Sequence, residues 1–235
     1  MIKNLDEFLY SNPYPGRGIL IGRSEDGLRG IVLYFIMGRS ANSRNRLFER
    51  TIDGIRTTAC DASKVTNPEL IIYNPVRMVD GQLIVTNGDQ TDTIANHLKE
   101  GFSFHAALHT REFEPDAPNY TPRISGLVQP CGSYVLSILK TLSGNPNHCQ
   151  RSFFEYSSAV PGLGHFISTY ESDGNPLPSF AGEPIPVHIK DASGLEQFAQ
   201  NIWNSLNDEN KVSLYARETN YRTGDVNDLI MNKYA

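Results

Sequence analysis

Arginine is the residue type whose placement points most directly to chemistry in this 235-residue chain. Arg39, Arg44 and Arg46 lie just after an unbroken apolar run, residues 31–37, and are interleaved with Ser40, Asn42, Ser43 and Asn45. A guanidinium is a planar fork of N–H donors that matches phosphate or carboxylate two bonds at a time, and neutral Ser and Asn donors fix the orientation of what it holds. Gly38 between the run and the cluster lets the backbone turn or approach a ligand. Eleven arginines precede residue 124, against only Lys3, Lys64 and Lys99. Solubility does not prefer Arg over Lys, whereas a site for a planar or phosphorylated ligand does.

A second dense segment runs over residues 111–124. It sets Glu112, Glu114 and Asp116 between Arg111 and Arg123, with prolines stiffening the loop. A stiff polar loop beside a sheet can be a catalytic loop, although standing alone it reads more readily as an ordinary acidic surface loop. His105 and His109 are one helical turn apart, as zinc ligands are in some sites, but no third ligand or general base sits at the required spacing, so a structural or pocket role is expected. Cys60, Cys131 and Cys149 show no metal-ligand spacing. Gly16, Gly18 and Gly22 precede a strand and are spaced one residue too widely for a dinucleotide-binding turn.

The elements that must position these groups read as α+β. Residues 18–22 and 29–37 flank Glu25-Asp26-Gly27 and predict an antiparallel hairpin, and residues 76–79 and 82–86 predict a second around Asp80-Gly81. Residues 56–60 and 69–74 are further strand candidates. A capped turn of helix is expected after Asn4, a helix from about residue 90 closed by Gly101, and a short helix over 103–110. Strands are expected over 122–128, 133–142, 152–159, 164–170, 184–190 and 212–217, with a long loop at 172–182. A helix capped by Ser193 runs to Leu206, and residues 225–234 read as a final helix. Consecutive strands with two helical regions favour antiparallel sheets with helices on their outer faces.

Hydrophobic content of 39%, charged content of 20% and a net charge of −5 suit a globular protein and exclude a broad basic nucleic-acid face. No apolar run is long enough to span a bilayer and no basic-then-apolar leader opens the chain, so a reduced, cytoplasmic protein is expected.

Five segments in order, Asn12-Pro13-Tyr14-Pro15-Gly16-Arg17-Gly18, Met37-Gly38-Arg39-Ser40 with Ser43-Arg44-Asn45-Arg46, Tyr73-Asn74-Pro75, Thr86-Asn87-Gly88, and Asn119-Tyr120-Thr121-Pro122-Arg123-Ile124, together resemble the archaeal-type IMP cyclohydrolases and their bacterial relatives. The resemblance extends over roughly the whole chain as a single domain, residues 1–235, with its motifs in the first half. It implies a four-layer αββα sandwich of two mostly antiparallel sheets, the fold of the N-terminal-nucleophile hydrolases. Those enzymes use a Cys, Ser or Thr freed at residue 1. This chain starts Met1-Ile2-Lys3, so neither that nucleophile nor its autocleavage is expected.

The reaction implied is closure of 5-formamidoimidazole-4-carboxamide ribonucleotide to IMP with loss of water. A carboxamide nitrogen is a poor nucleophile. The site must therefore hold it against the formyl carbon, polarise the formyl oxygen, take a proton from nitrogen and return one to departing water. No metal or organic cofactor is needed. The expected catalytic residues are Arg39, Tyr73 as hydroxyl donor near the formyl group, and Glu112 as proton carrier with Glu114 its rival. Arg17, Arg44, Arg46, Asn87, Asn119 and Arg123 are expected to bind substrate. The expected partner is a purine nucleotide, with no nucleic acid or membrane, and a homo-oligomer is compatible with the sequence. The alternatives are a non-catalytic purine-nucleotide sensor on the same fold and, more remotely, an amide hydrolase using Cys60.

Overall fold

The apolar run before the arginine cluster folds as one strand that serves two cores at once. Ile31, Leu33, Phe35 and Met37 point into one buried cluster, and Val32, Tyr34 and Ile36 into another. A strand covered on both faces needs no alternation, which is why this one reads as continuous apolar sequence.

The computed structural model describes residues 1–65, 68 and 71–234. In chain order the elements begin with β1 (Lys3–Asn4), α1 (Leu5–Tyr10), β2 (Arg17–Arg23), β3 (Arg29–Met37), α2 (Ala41–Arg44), β4 (Leu47–Arg50) and β5 (Gly54–Thr58). After a 3-10 turn at Ala62–Lys64 come β6 (Val76–Val79), β7 (Gln82–Thr86), α3 (Gln90–Lys99), α4 (Phe104–His109), β8 (Arg123–Val128) and β9 (Tyr134–Leu142). The chain continues with β10 (Asn145–Tyr156), β11 (Leu163–Ser168), β12 (Ile185–His188), α5 (Leu195–Ser205), β13 (Lys211–Asn220) and β14 (Val226–Asn232).

The strands form two seven-stranded sheets, ordered β1-β12-β11-β2-β3-β13-β14 and β10-β9-β8-β7-β6-β5-β4. Every pairing is antiparallel except β1 with β12. Three apolar clusters define four layers. Leu9, Phe198 and Ile202 of α1 and α5 pack on the outer face of the first sheet. Ile19, Tyr34, Val85, Ile124 and Ile138 fill the space between the sheets. Ile94, Ala95, Phe104 and Leu108 of α3 and α4 pack on Ile84, Leu127 and Leu139 of the second sheet. The αββα sandwich and both expected hairpins are present.

Three expectations differ from the fold. Residues 225–234 do not form a helix. Val226–Asn232 pairs with β13 as an edge strand, Leu229 and Met231 packing outward under α5 and Ile230 inward between the sheets, so coverage of both faces again hides the strand period. Of the strand expected at 69–74, residues 69 and 70 lie outside the described residues. Tyr73 and Asn74 are not in a strand, although Tyr73 exchanges hydrogen bonds with Thr57 of β5. At α5 the residue before the first turn is Gly194 and no side chain caps it, so Ser193 is not the cap.

Candidate functional site

The strand ends bring the chemistry together. β2 starts at Arg17, β3 ends at Met37, β7 ends at Thr86 and β8 starts at Arg123, and register pairs Arg17 with Ile36 and Thr86 with Ser125. All four termini therefore lie at one end of the sandwich, where loops from both sheets meet. Thr169, just past β11, fixes the first residue of β2, because the Arg17 N–H donates to Thr169 Oγ1 (3.1 Å) and the Thr169 N–H to the Arg17 carbonyl (2.9 Å).

The 111–122 loop folds back on itself at this end. The Glu114 N–H donates to the Thr121 carbonyl (2.9 Å), and Asp116 accepts from both the Thr121 N–H (2.6 Å) and its hydroxyl. This return turns Glu114 inward, where it is 3% exposed. Its carboxylate stands 4.0 Å from the Arg123 guanidinium. Gly88 makes that approach possible, since a Cβ there would fall 2.7 Å from Arg123 Nη1 and 3.1 Å from Glu114 Oε1. Arg123 is anchored by Asp89 (2.6 Å) and Gln90 (2.7 Å).

Arg17, Arg46, Tyr73 and Tyr34 complete the group. The Tyr73 hydroxyl meets that of Tyr34 at 2.9 Å. The Tyr73 backbone is held by the Thr57 hydroxyl, which accepts its N–H at 2.8 Å. Arg46 is fully buried and donates to the Ser43 and Met37 carbonyls (2.8 and 3.3 Å). Arg17 makes no side-chain hydrogen bond or ion pair among the described residues. Arg17 Nε, Arg46 Nη1 and Arg123 Nε are buried N–H groups without an acceptor among the described residues. Orphaned cationic donors are costly in a monomer's interior, and three converging on one place form an anion-binding or oxyanion-polarising array.

The charges perturb one another. Burial pushes the Glu114 carboxyl up to about 6, against the opposing pull of Arg17 and Arg123. Burial disfavours the Arg17 cation, but Glu114 and the surrounding tyrosines outweigh it and hold Arg17 more firmly protonated than usual. Arg46 is shifted the other way by burial and by its neighbour Arg17. Burial and the Tyr73 hydroxyl raise the Tyr34 phenol, and burial pushes Tyr170 up to about 12. A carboxyl near neutrality beside fixed cations and a phenol is equipped to take and return a proton.

The other expected residues are placed differently. Glu112 is 65% exposed in its side chain and lies 3.8 Å from Arg151, outside this group. Adjacent even-numbered carboxylates in an irregular loop carry no period that separates them; the inward turn at Thr121 does. Arg39 sits at the rim, its guanidinium over the Tyr14 ring (5.0 Å) and bonded to Asp173 (2.5 Å) and the Gly174 carbonyl (2.9 Å). Arg44 donates to the Gly38 carbonyl (2.9 Å) and Asn210 (3.0 Å), closing the turn that follows β3. Asn87 is wholly buried and joins Pro122, Ile124 and Gln90 in a strut between β7 and β8. Asn119 accepts from the Leu177 N–H (3.1 Å), tying the acidic loop to the 172–179 loop.

His105 pairs with Glu155 (3.0 Å), and both α4 histidines pack on Phe153. Among the described residues no group of three His, Cys, Asp or Glu side chains is arranged to hold a metal. Cys60 is at the surface, and its thiol is raised by partial desolvation, the wrong direction for a nucleophile.

Tyr14, Tyr34, Tyr170 and Thr121 join the site without having been singled out. Tyr14 stacks on Tyr170 (6.0 Å), whose hydroxyl bonds Thr121 Oγ1 (2.7 Å). Tyr34 carried a usable signal, because a phenol within a fully buried strand requires a polar partner.

Comparison with known proteins gives a consistent result. A family model described as IMP cyclohydrolase-like protein matches residues 14–224. The chain is 32% identical over 162 residues to a protein named IMP cyclohydrolase from Methanosphaera stadtmanae, covering 67% of this chain and 74% of that one. It is 31% identical over 197 residues to one of the same name from Methanococcus maripaludis, covering 80% and 92%. A third, from Haloquadratum walsbyi, is 26% identical over 225 residues, covering 94% and 98%.

Proposed function

The chain belongs to the IMP cyclohydrolase-like family, and from that premise we propose that it closes 5-formamidoimidazole-4-carboxamide ribonucleotide to IMP with Glu114 as its proton carrier. The observation that carries the assignment is a carboxyl wholly buried between Arg17 and Arg123, with its proton affinity raised to about 6.

The carboxamide nitrogen attacks the formyl carbon, forming the new C–N bond, and its proton passes to Glu114. The carbonyl electron pair moves onto the formyl oxygen, where the Tyr73 hydroxyl and the unpartnered donors of Arg17 and Arg46 stabilise it. A proton taken up from solvent converts this oxyanion to the hydroxyl of a carbinolamine, which then leaves as water with the proton returned by Glu114. The former formamide nitrogen gives up its hydrogen to solvent as the C=N bond forms. Burial of the group between two sheets keeps the reacting arms in the one rotamer where they meet. Arg39 at the rim, partly exposed, is suited to the 5′-phosphate, while Arg44, Asn87 and Asn119 hold the walls. Arg123 orients Glu114.

A sensor on this fold would need no catalytic carboxyl. Convergence of Glu114, Tyr73 and Arg17 therefore supports turnover. The unit proposed is the whole of residues 1–235, and the free thiols of Cys60, Cys131 and Cys149 fit a reducing, cytoplasmic setting. Among the described residues no helix is long and apolar enough to cross a membrane.

The test compares Glu114→Gln with Glu112→Gln in the cyclisation assay and in IMP binding. Glu114→Gln should lower kcat by about 10²–10⁴, the range for a general acid–base group, with IMP affinity retained. Glu112→Gln should turn over like the parent. The reverse pattern would return proton transfer to Glu112.

A further inference from the structure

At the end of the sandwich away from the arginine site, the two sheets part around a cavity of about 310 Å³. Its walls are mainly apolar, with Val32, Met78, Leu83 and Val128 contributed by both sheets, Val226 at the edge and Tyr221 across the top. The volume is at the lower end of the range for small-molecule sites, and an apolar lining with few polar groups is their usual chemistry. Along β3, Val32 is four residues from Ile36, the partner of Arg17, so the two regions are separated by roughly 13 Å of strand or more.

One residue breaks the apolar pattern. Arg217 is opposite Val32 in β13, a strand flanked by β3 and β14, and shares the inward face with Tyr215 of the inter-sheet core. It is half-buried and is the one charged side chain among the described lining residues; no carboxylate lines the cavity. No ion pair to Arg217 occurs among the described residues. Its Nε makes a long bond to Thr219 Oγ1 (3.4 Å), and its guanidinium also interacts with the Tyr215 hydroxyl. The neighbouring carboxylate across the ladder, Asp228, is engaged by Arg50 and by the Tyr215 hydroxyl (3.0 Å). A half-buried guanidinium at an apolar cavity, with no carboxylate in ion-pair reach among the described residues, keeps N–H donors that an anionic ligand could take up.

The cavity wall is also built. Tyr221 is seated over Gly30, where a Cβ would fall 2.3 Å from its hydroxyl oxygen, and over Gly132, where one would fall 2.9 Å from the ring. Arg23 covers the ring (5.7 Å), and the Tyr221 N–H donates to the Leu28 carbonyl (3.1 Å). The ring is thus held in place from several sides.

We propose that this cavity is a second small-molecule site, taking an organic anion with a flat apolar body, the anionic group on Arg217 and the body between the sheets. The test saturates the active site with IMP and titrates the protein with 4-phenylbutyrate, phenyl phosphate and the neutral 4-phenylbutyramide, by calorimetry. At least one anion should bind saturably and at least tenfold tighter than the amide. Arg217→Gln should abolish that preference while melting no lower than the parent and turning over normally. Val226→Trp, at an exposed edge position, should block all three probes. Carboxylate or phosphate binding alone tells which anionic group the site accepts, and either supports it. Absence of saturable anion binding, equal binding of the amide, or a preference that survives Arg217→Gln would overturn the proposal.

Discussion

Glu114 and Glu112 differ by two positions and have opposite fates. Both are carboxylates in one proline-stiffened loop; the expectation from sequence fell on Glu112 with Glu114 its rival, although no period separates them. The deciding contact is Glu114 N–H to the Thr121 carbonyl, with Asp116 clamping Thr121, which turns one carboxylate inward and leaves the other beside Arg151. Tyr73 was legible as a hydroxyl near the motifs, but its partner Tyr34 lay inside a run read as purely apolar. Tyr73→Phe keeps the ring and removes the hydroxyl proposed to donate to the developing oxyanion. Its kcat should fall by about 10²–10³ with IMP affinity nearly unchanged. Parental turnover in this variant would reduce Tyr73 to a packing residue.

At the scale of elements, the arginine cluster after β3 separates into three jobs that its sequence spacing did not distinguish. Arg46 turns back into the buried group, Arg44 braces the turn through the Gly38 carbonyl and Asn210, and Arg39 reaches the rim to meet Asp173. The short capped helix α2 separates them: Arg39 precedes its cap Ser40, Arg44 ends it, and Arg46 follows its C-cap Asn45. Arg39→Ala should then weaken IMP about tenfold or more and spare inosine, as loss of a phosphate contact requires. Arg44→Ala should instead cost about 1–3 kcal/mol in urea unfolding and weaken nucleotide and nucleoside alike. A nucleotide-selective loss at Arg44 with unchanged stability would exchange the two roles. The misread β14 has a related cause. Leu229, Ile230 and Met231 are apolar in succession because an edge strand is covered by α5 outside and by the second sheet inside, and neither a helical nor an alternating period survives.

Across the whole molecule, hairpins and helices were legible because turn residues and apolar spacing are local, whereas the closing of two sheets over one end is not. Arg17 and Arg123 are 106 positions apart and reach Glu114 only through sheet register. The four-layer arrangement came from the family resemblance and not from periodicity. Burying the site also leaves a mark on global stability. Glu114 has a folded proton affinity of about 6 against 4.5 for the free group, so its contribution is fully present below about 4.5 and is lost as pH rises through 6. The difference is on the order of 2 kcal/mol. Between pH 4.5 and 7.5, Glu114→Gln should therefore gain about that much stability relative to the parent in denaturant unfolding. A difference that is flat with pH would mean that Glu114 is not desolvated in the folded chain.

The most direct measurement of the central claim is the pH dependence of kcat/KM for cyclisation. If ionised Glu114 takes the proton, the parent profile should rise with pH through an acid limb at about 6, well above an ordinary glutamate, and the residual activity of Glu114→Gln should lack that limb. An acid limb near 4.5 in the parent, or a limb at 6 that persists in Glu114→Gln, would contradict the assignment of the buried carboxyl as proton carrier.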